Sequence, residues 1–302
     1  SSDVCSSDLE AYKVCSDYRK IITVDLSFSY LSNIIIQEDL GLLLPRIKEL
    51  NLTRSLLAKW SDFAFLLSKL KTLDNLIFTE NRLIYDDEFL RLFNYYEKNI
   101  EDEEIIKKYG DKEILTKSLN LKNLILNQNN LNISDLMNIS FLLKKVENLY
   151  LFDNNINDSN LPNVNSSKIN LISQENFKEN LKNLKALTLE KNKINILKKI
   201  LDFFNHENLL YLNLNQNNIK YIFDTDDLGN YLEEKKSPRE ELEKYFAGIK
   251  NLHIDFNAIY DYKILFKHLN SLTTLENLNI LNNGFVRQKE IGLDNAKINI
   301  IG

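Results

Sequence analysis

Seven glycines and three prolines in 302 residues fall far below the roughly 12% that an ordinary chain carries. Collagen-like, Gly-rich and Pro-rich architectures are excluded. No G-x-G-x-x-G or G-x-x-x-x-G-K run offers a phosphate cradle. The only cysteines, Cys5 and Cys15, form no C-x-x-C pair and cannot staple a chain of this length. A reducing, cytosolic setting is the simpler expectation. His206, His253 and His268 are the only histidines, and none sits in H-E-x-x-H or another recognisable metal spacing. G-x-S-x-G is also missing. A net charge of −5 provides no basic footprint, so neither nucleic acid nor an acidic membrane surface is expected as a partner. No apolar run approaches the ~18–20 residues of a membrane span.

What is present, 44% hydrophobic and 27% charged residues, suits a soluble globular chain with a sizeable core. The N-terminus is rich in Ser and Asp, lacks the apolar stretch of a signal peptide and does not begin with Met. The chain is therefore expected to be a fragment. Its first nine residues (SSDVCSSDL) read as cloning-type sequence, and 1–20 are set aside as a non-native or disordered tail.

Internal periodicity supplies the architecture. The pattern L-x-x-L-x-L-x-x-N-x-L, with Ile, Val or Phe allowed for Leu, recurs nine times, starting at Ile21, Ile47, Leu73, Leu121, Val146, Leu184, Leu209, Ile249 and Leu275. Five of the eight intervals are 25 or 26 residues. The longer three place insertions near 84–120, 157–183 and 220–248. Alternation across L-x-L marks a short, half-buried strand. Helical spacing follows in several repeats, as in Phe63, Leu66, Leu67, Leu70 and Leu136, Ile139, Leu142, Leu143. The expected fold is an α/β leucine-rich-repeat solenoid over 21–302: about nine strand-turn-helix units, with a concave parallel sheet and convex helices. The repeat Asn is expected to satisfy inward-facing backbone groups and link neighbouring coils. Ser29 and Ser55 hold that place in the first two repeats, a less tightly tied end.

No residue is assigned a catalytic, cofactor-binding or metal-binding role, and the chain is not expected to be an enzyme. Acidic runs such as Glu101 to Glu104 and Asp224 to Asp227 fall in insertions and read as solvated faces. They lack the D-x-[DN]-x-[DN]-G frame of a calcium loop. Trp60 is expected in the convex packing. The aromatic cluster Phe89, Leu90, Leu92, Phe93, Tyr95, Tyr96 is expected on a helix packed at the solenoid edge. A further helix is expected from Pro238 through Phe246, capped by Ser237.

The outward positions of a concave sheet are where a partner would bind. Nine strands at ~4.8 Å spacing make a face roughly 40 Å long, enough for the ~800 Å² per partner of a stable interface. The candidate contact residues are Ile77, Ile125, Tyr150, Phe152, Asp153, Glu190, Lys191, His253, Asp255 and Phe256. Ile77, Ile125, Tyr150 and Phe152 are expected to face solvent, rimmed by Asp153 and Glu190, in the manner of a protein-binding patch. His253 is expected to be exposed on the same face. The competing expectation is that an insertion folds back over the patch.

The segments LNQNNLNISDLMNISFLLKKVENLYLFDNNI (126–156) and VDLSFSYLSNI (24–34) resemble repeats of tubulin-folding cofactor E. The step Leu57-Ala58-Lys59-Trp60 is similar to that family's repeat-to-helix junction. The ending, from NLNILNNGFVRQ (277–288) to AKINIIG (296–302), resembles its C-terminal cap, with Gly284 where the family has proline and Asn299 near an expected basic residue. The resemblance covers about 21–302. It implies a cytoplasmic, cytoskeleton-associated chaperone step. In it the chain would bind α-tubulin after chaperonin release and act with other tubulin-folding cofactors in assembling or dissociating the αβ heterodimer. It implies no catalytic residue and no cofactor. The CAP-Gly and ubiquitin-like domains usual in that family are not read in this chain. The alternative is a leucine-rich-repeat scaffold of phosphatase-regulating, axonemal or spliceosomal type, whose repeats are usually shorter, about 22 residues.

Overall fold

A computed structural model describes residues 18–29, 40–159, 172–204, 206–220, 246, 248–259, 265–266, 269, 272–284 and 299–300. The expected helix at 238–246, apart from Phe246, lies outside these residues, as do 285–298 of the expected cap. The chain divides into two compact units, Ser1–Leu124 and Ile125–Gly302.

In the first unit, β1 (Thr23–Asp25), β2 (Glu49–Asn51) and β3 (Asn75–Ile77) pair in parallel, with Val24, Leu50 and Leu76 in register. Each is three residues long because the sequence supplies only one x-L-x alternation before the chain turns inward. Behind them, α1 (Leu40–Leu43) and α2 (Trp60–Lys69) follow β1 and β2. The 3.6-residue spacing of Phe63, Leu66, Leu67 and Leu70 puts one apolar stripe on α2, and all four are buried. Trp60 is fully buried, edge-on to Phe63 at 5.3 Å, and Phe63 meets Phe78 at 5.5 Å. Trp60 thus belongs to the packing, as its position in the repeat suggested.

The 84–120 insertion forms three helices, α3 (Asp87–Lys98), α4 (Glu103–Tyr109) and α5 (Lys112–Ser118). Their starts are encoded locally. Asp102 accepts a hydrogen bond from the Ile105 amide at 3.1 Å, and Asp111 one from Ile114 at 2.7 Å. Phe89, Leu92, Phe93 and Tyr95 of the aromatic cluster are buried; Phe89 packs 6.3 Å from Trp60.

β4 (Asn123–Ile125) ends the first unit and opens the second. In the second unit β5 (Asn148–Tyr150), β6 (Ala186–Thr188), β7 (Tyr211–Asn213), β8 (Asn251–His253) and β9 (Asn277–Asn279) form a parallel ladder, with Leu149, Leu187, Leu212, Leu252 and Leu278 in one register row. A two-residue strand, β10 (Asn299–Ile300), pairs with β9, one strand more than the nine repeats predict. Leu126, Leu151 and Leu189 are wholly buried. Helices among its described residues include α6 (Ile133–Ile139), α7 (Gln174–Asn180) and α8 (Leu197–Phe204). Asn132 and Asp135 make a reciprocal capping box on α6, and Phe177 joins α7 to α8 through Phe204 at 5.6 Å. Both units repeat the strand-turn-helix plan, so the fold is the expected α/β leucine-rich-repeat solenoid.

The turns explain why that plan can repeat. The residue just before each repeat Asn or Ser is left-handed. Phe28, Arg54, Glu80, Gln128, Asp153, Lys191, Gln216, Phe256 and Asn282 all have φ between +52° and +60°. A non-glycine residue there costs roughly 1–2 kcal/mol, which must be offset by something shared among the coils. The N–H groups of Phe28, Arg54, Gln128, Asp153, Lys191, Gln216 and Phe256 each continue the ladder to a carbonyl of the next coil at 2.7–3.0 Å. The repeat Asn then ties the other side. Asn81, Asn154, Asn192, Asn217, Asn257 and Asn283 donate from Nδ2 to the last strand-side carbonyl of the coil before, at Leu52, Leu126, Leu151, Leu189, Leu214 and Ile254 (2.8–3.0 Å). Their Oδ1 atoms accept from amides of that same coil, at Ser55, Leu131, Ile156, Ile194, Ile219 and Ile259. Ser55 is itself buried and donates to Asn81 Oδ1 at 3.1 Å. The Ser29 hydroxyl is buried without a hydrogen-bond partner among the described residues, in keeping with a more weakly tied first coil.

Candidate protein-binding face

Ile77 closes β3 in the first unit and is half-buried. The other nine candidate residues lie in the second unit. Ile125 and Phe152 are half-buried rather than open to solvent, and Tyr150 is the exposed member of the group at 38%. Alternation places a side chain on the outer face but does not set how far it stands out, as Phe152 shows. Phe152 is covered from within, by the Lys191 ammonium 5.4 Å from its ring centre. Lys191 is simultaneously 2.9 Å from Asp153, and Gln128 donates to the same carboxylate oxygen at 3.2 Å.

Glu190 accepts from Gln216 Nε2 at 2.6 Å and from Asn213 Nδ2 at 3.2 Å, two neutral donors. Asp255 departs further from expectation. It is buried, and its Oδ1 accepts the Leu281 amide at 2.6 Å. The same place one coil earlier is taken by Asn215, whose Oδ1 accepts the Asp255 amide at 2.7 Å, and in the fourth coil Asn127 accepts the Phe152 amide at 2.8 Å. Asp255 is thus a rung of an inter-coil ladder. Phe256 is exposed at 56%, next to the 39%-exposed Leu281 to which its backbone is bonded.

His253 is half-buried, not exposed. Its ring lies 5.0 Å from that of Tyr211, and its Nδ1 is 3.3 Å from Asn279 Nδ2. Burial lowers its pKa against the opposing pull of Asp255. Tyr211 is held protonated above its ordinary value, chiefly by burial and then by the charge of Glu190 and the nearby Tyr150. Tyr211 was not among the sequence candidates, although the signal was available. The residue before the first strand Leu shares the outer face with the residue after it, and this row contains Asn148, Ala186, Tyr211, Asn251 and Asn277. Asn277 donates to Asn251 at 2.7 Å within it.

Among the described residues no group of three His, Cys, Asp or Glu side chains is placed to hold a metal ion, and no helix is long and apolar enough to cross a membrane. The geometry defines a leucine-rich-repeat solenoid whose second unit carries an aromatic and acidic outer face. No family model matches the chain, and no curated protein matches it. Solved structures that it resembles include human 5T4, also titled Wnt-activated inhibitory factor 1 or trophoblast glycoprotein, at 17% identity, 86% of this chain, 77% of that one and a TM-score of 0.48. An internalin (inlF) from Listeria monocytogenes is similar at 19% identity, 94% of this chain, 67% of that one and a TM-score of 0.45. Internalin C2 from the same organism is similar at 17%, 76%, 68% and 0.38. These likenesses are distant, and the fold assignment rests on the repeat frame and the ladder.

Proposed function

We propose that the chain is a non-catalytic protein-binding module whose docking surface is the outer face of the second unit, centred on Tyr150. The observation that carries this reading is an exposed tyrosine amid half-buried aromatic and charged side chains that hold one another in place. Such a surface is rigid before a partner arrives, and tyrosine is among the residues that most often dominate binding energy.

For the partner, the resemblance of 24–34, 126–156 and 277–302 supports α-tubulin. The setting would be a cytoplasmic, cytoskeleton-associated folding step shared with other tubulin-folding cofactors. The 25–26-residue repeat also supports this over the shorter repeats of phosphatase-regulating, axonemal or spliceosomal scaffolds.

The test is capture of purified α-tubulin by the immobilised chain, compared with a Tyr150→Ala/Phe152→Ala variant. Loss of a central aromatic anchor is expected to cost at least about 2 kcal/mol of binding, a drop of roughly 30-fold, with the circular dichroism spectrum retained. Equal capture by the variant rejects the face. Absence of tubulin, with recovery of phosphatase or spliceosomal subunits from extract, transfers the module to the alternative class.

A further inference from the structure

The same face has a feature that its charge and relief make specific, and the inference drawn from it rests on the docking reading above. β6 presents only Ala186 and Thr188 outward. Its register partners are Asn148 and Tyr150 on β5 and Tyr211 and Asn213 on β7. The shortest side chains of this stretch therefore lie low between two tyrosines on opposite sides, Tyr150 beside Thr188 and Tyr211 beside Ala186, one two-residue step apart along the strand. Strands two apart are separated by about 9–10 Å. A two-residue step along a strand is about 6.5–7 Å, so one extended side chain laid along β6 can set its stem against one ring and its planar end against the other. The Tyr211 wall is backed by His253, tilted 56° to it at 5.0 Å.

Glu190, two residues beyond Thr188, closes one end. Its carboxylate is oriented by the Asn213 and Gln216 amides but is not paired with a cation in either bond. A carboxylate has about four acceptor sites, so two remain for a donor from outside. Lys191, the nearest lysine in sequence, is committed to Asp153 and Phe152. That trio shows what such a combination selects. An ammonium, an aromatic face and a carboxylate come together at 5.4 and 2.9 Å, with the chain's own lysine as the cation. Over β6 the rings and the carboxylate are present, and the floor is cut low.

We propose that the notch over β6, walled by Tyr150 and Tyr211 and closed by Glu190, is a subsite for a single arginine side chain of a protein partner. Arginine fits better than lysine because its planar group stacks on rings while donating in a fork to a carboxylate.

The probe is the capped tripeptide acetyl-Gly-Arg-Gly-amide, titrated into the full chain while tyrosine ring resonances are followed. The expected result is a saturable shift of Tyr150 and Tyr211. The neutral citrulline analogue is expected to bind at least tenfold more weakly. Glu190→Gln should weaken the arginine peptide at least tenfold, and Ala186→Leu should fill the notch and remove the response, with folding of both variants checked by circular dichroism. Equal affinity for arginine and citrulline, or no change in Glu190→Gln, overturns the subsite. Partner capture separates the two readings. Capture lost in Tyr150→Ala/Phe152→Ala but intact in Glu190→Gln and Ala186→Leu keeps the docking face and rejects the subsite, whereas a specific arginine response with unaffected capture keeps the subsite and rejects the docking face.

Discussion

Replacement of Asn192 by alanine tests the bonding that holds the coils in register. Asn192 is fully buried. Its Nδ2 donates to the Leu151 carbonyl at 2.8 Å and to the Glu190 carbonyl at 3.1 Å, and its Oδ1 accepts from the Ile156 amide at 3.2 Å. The Glu190 carbonyl keeps a second partner, the Asp153 amide at 3.0 Å, so its loss is partial. The Leu151 carbonyl and the Ile156 amide belong to the neighbouring coil and would stay buried without partners, at about 1–3 kcal/mol each, or about 2–6 kcal/mol together. Against a typical total of 5–15 kcal/mol that is a large share. Urea unfolding followed by far-UV circular dichroism should show a lower midpoint with an unchanged slope, and the Ile156 amide should lose protection from hydrogen exchange. Asn192→Asp keeps the size but substitutes an oxygen for the donor. At pH 7 it should be at least as destabilising as alanine, and the loss should shrink as the carboxyl is protonated. The control is Asn218→Ala, at an exposed position one residue past the next repeat Asn, expected within about 0.5 kcal/mol of the parent. Equal midpoints for Asn192→Ala and Asn218→Ala, or undiminished protection at Ile156, would refute the coupling.

Three further outcomes are expected. Gly248→Ala should unfold the eighth coil or lower its melting temperature sharply, because an added Cβ would lie 2.2 Å from the Glu207 carbonyl oxygen and 2.9 Å from that of Leu209; a thermal melt checks it. Gln128→Val should cost about 1–2 kcal/mol by urea titration, since a β-branched residue tolerates φ of +56° poorly, while Gln128→Asn should cost far less. His206 has both ring nitrogens buried without partners among the described residues, and burial, with Lys178 nearby, lowers its pKa to about 4. The folded state therefore resists protonation that the unfolded chain accepts near pH 6.5. Stability should be full above that value and fall as pH drops from about 6.5 towards about 4. His206→Leu should flatten that part of a stability-versus-pH curve.

The nine-fold frame made most of the ladder legible, because a strand with one alternation has only one register that buries Leu50 against Leu76 or Leu187 against Leu212. It was also sufficient for the Asn ties, since a buried amide at the mouth of every turn has few other uses. The outer face was legible in direction but not in depth. Tyr150 and Phe256 stand out as expected, whereas His253 sinks against Tyr211 and Asp255 turns back to the Leu281 amide. Pattern gives the side of the sheet a residue occupies. It says nothing of which neighbour is tall, and a carboxylate two residues past a strand end can serve the next coil as readily as a partner. β10 lay outside the repeat pattern, because in the register that pairs Ile300 with Leu278 the frame's neighbouring apolar positions fall on Lys297 and Gly302.

The left-handed column connects the ladder to the face. A position at +52° to +60° would ordinarily call for Gly or Asn, yet the nine residues there are two Phe, two Gln, Arg, Glu, Asp, Lys and Asn. Their conformation is therefore set by bonds on either side, the ladder amide and the repeat Asn, and not by the side chain itself. That leaves the side chain free to vary without loss of the turn so long as it is not branched at Cβ. Arg54 uses this freedom to pair with Glu80 at 2.5 Å while lying 5.3 Å above Phe28. Lys191 and Asp153 use it in the second unit, and Phe256 uses it to stand in water. A turn held by its neighbours rather than by its own residue is what allows a solenoid to change its surface chemistry coil by coil, and it places the most variable side chains beside the exposed tyrosine where a partner is proposed to dock.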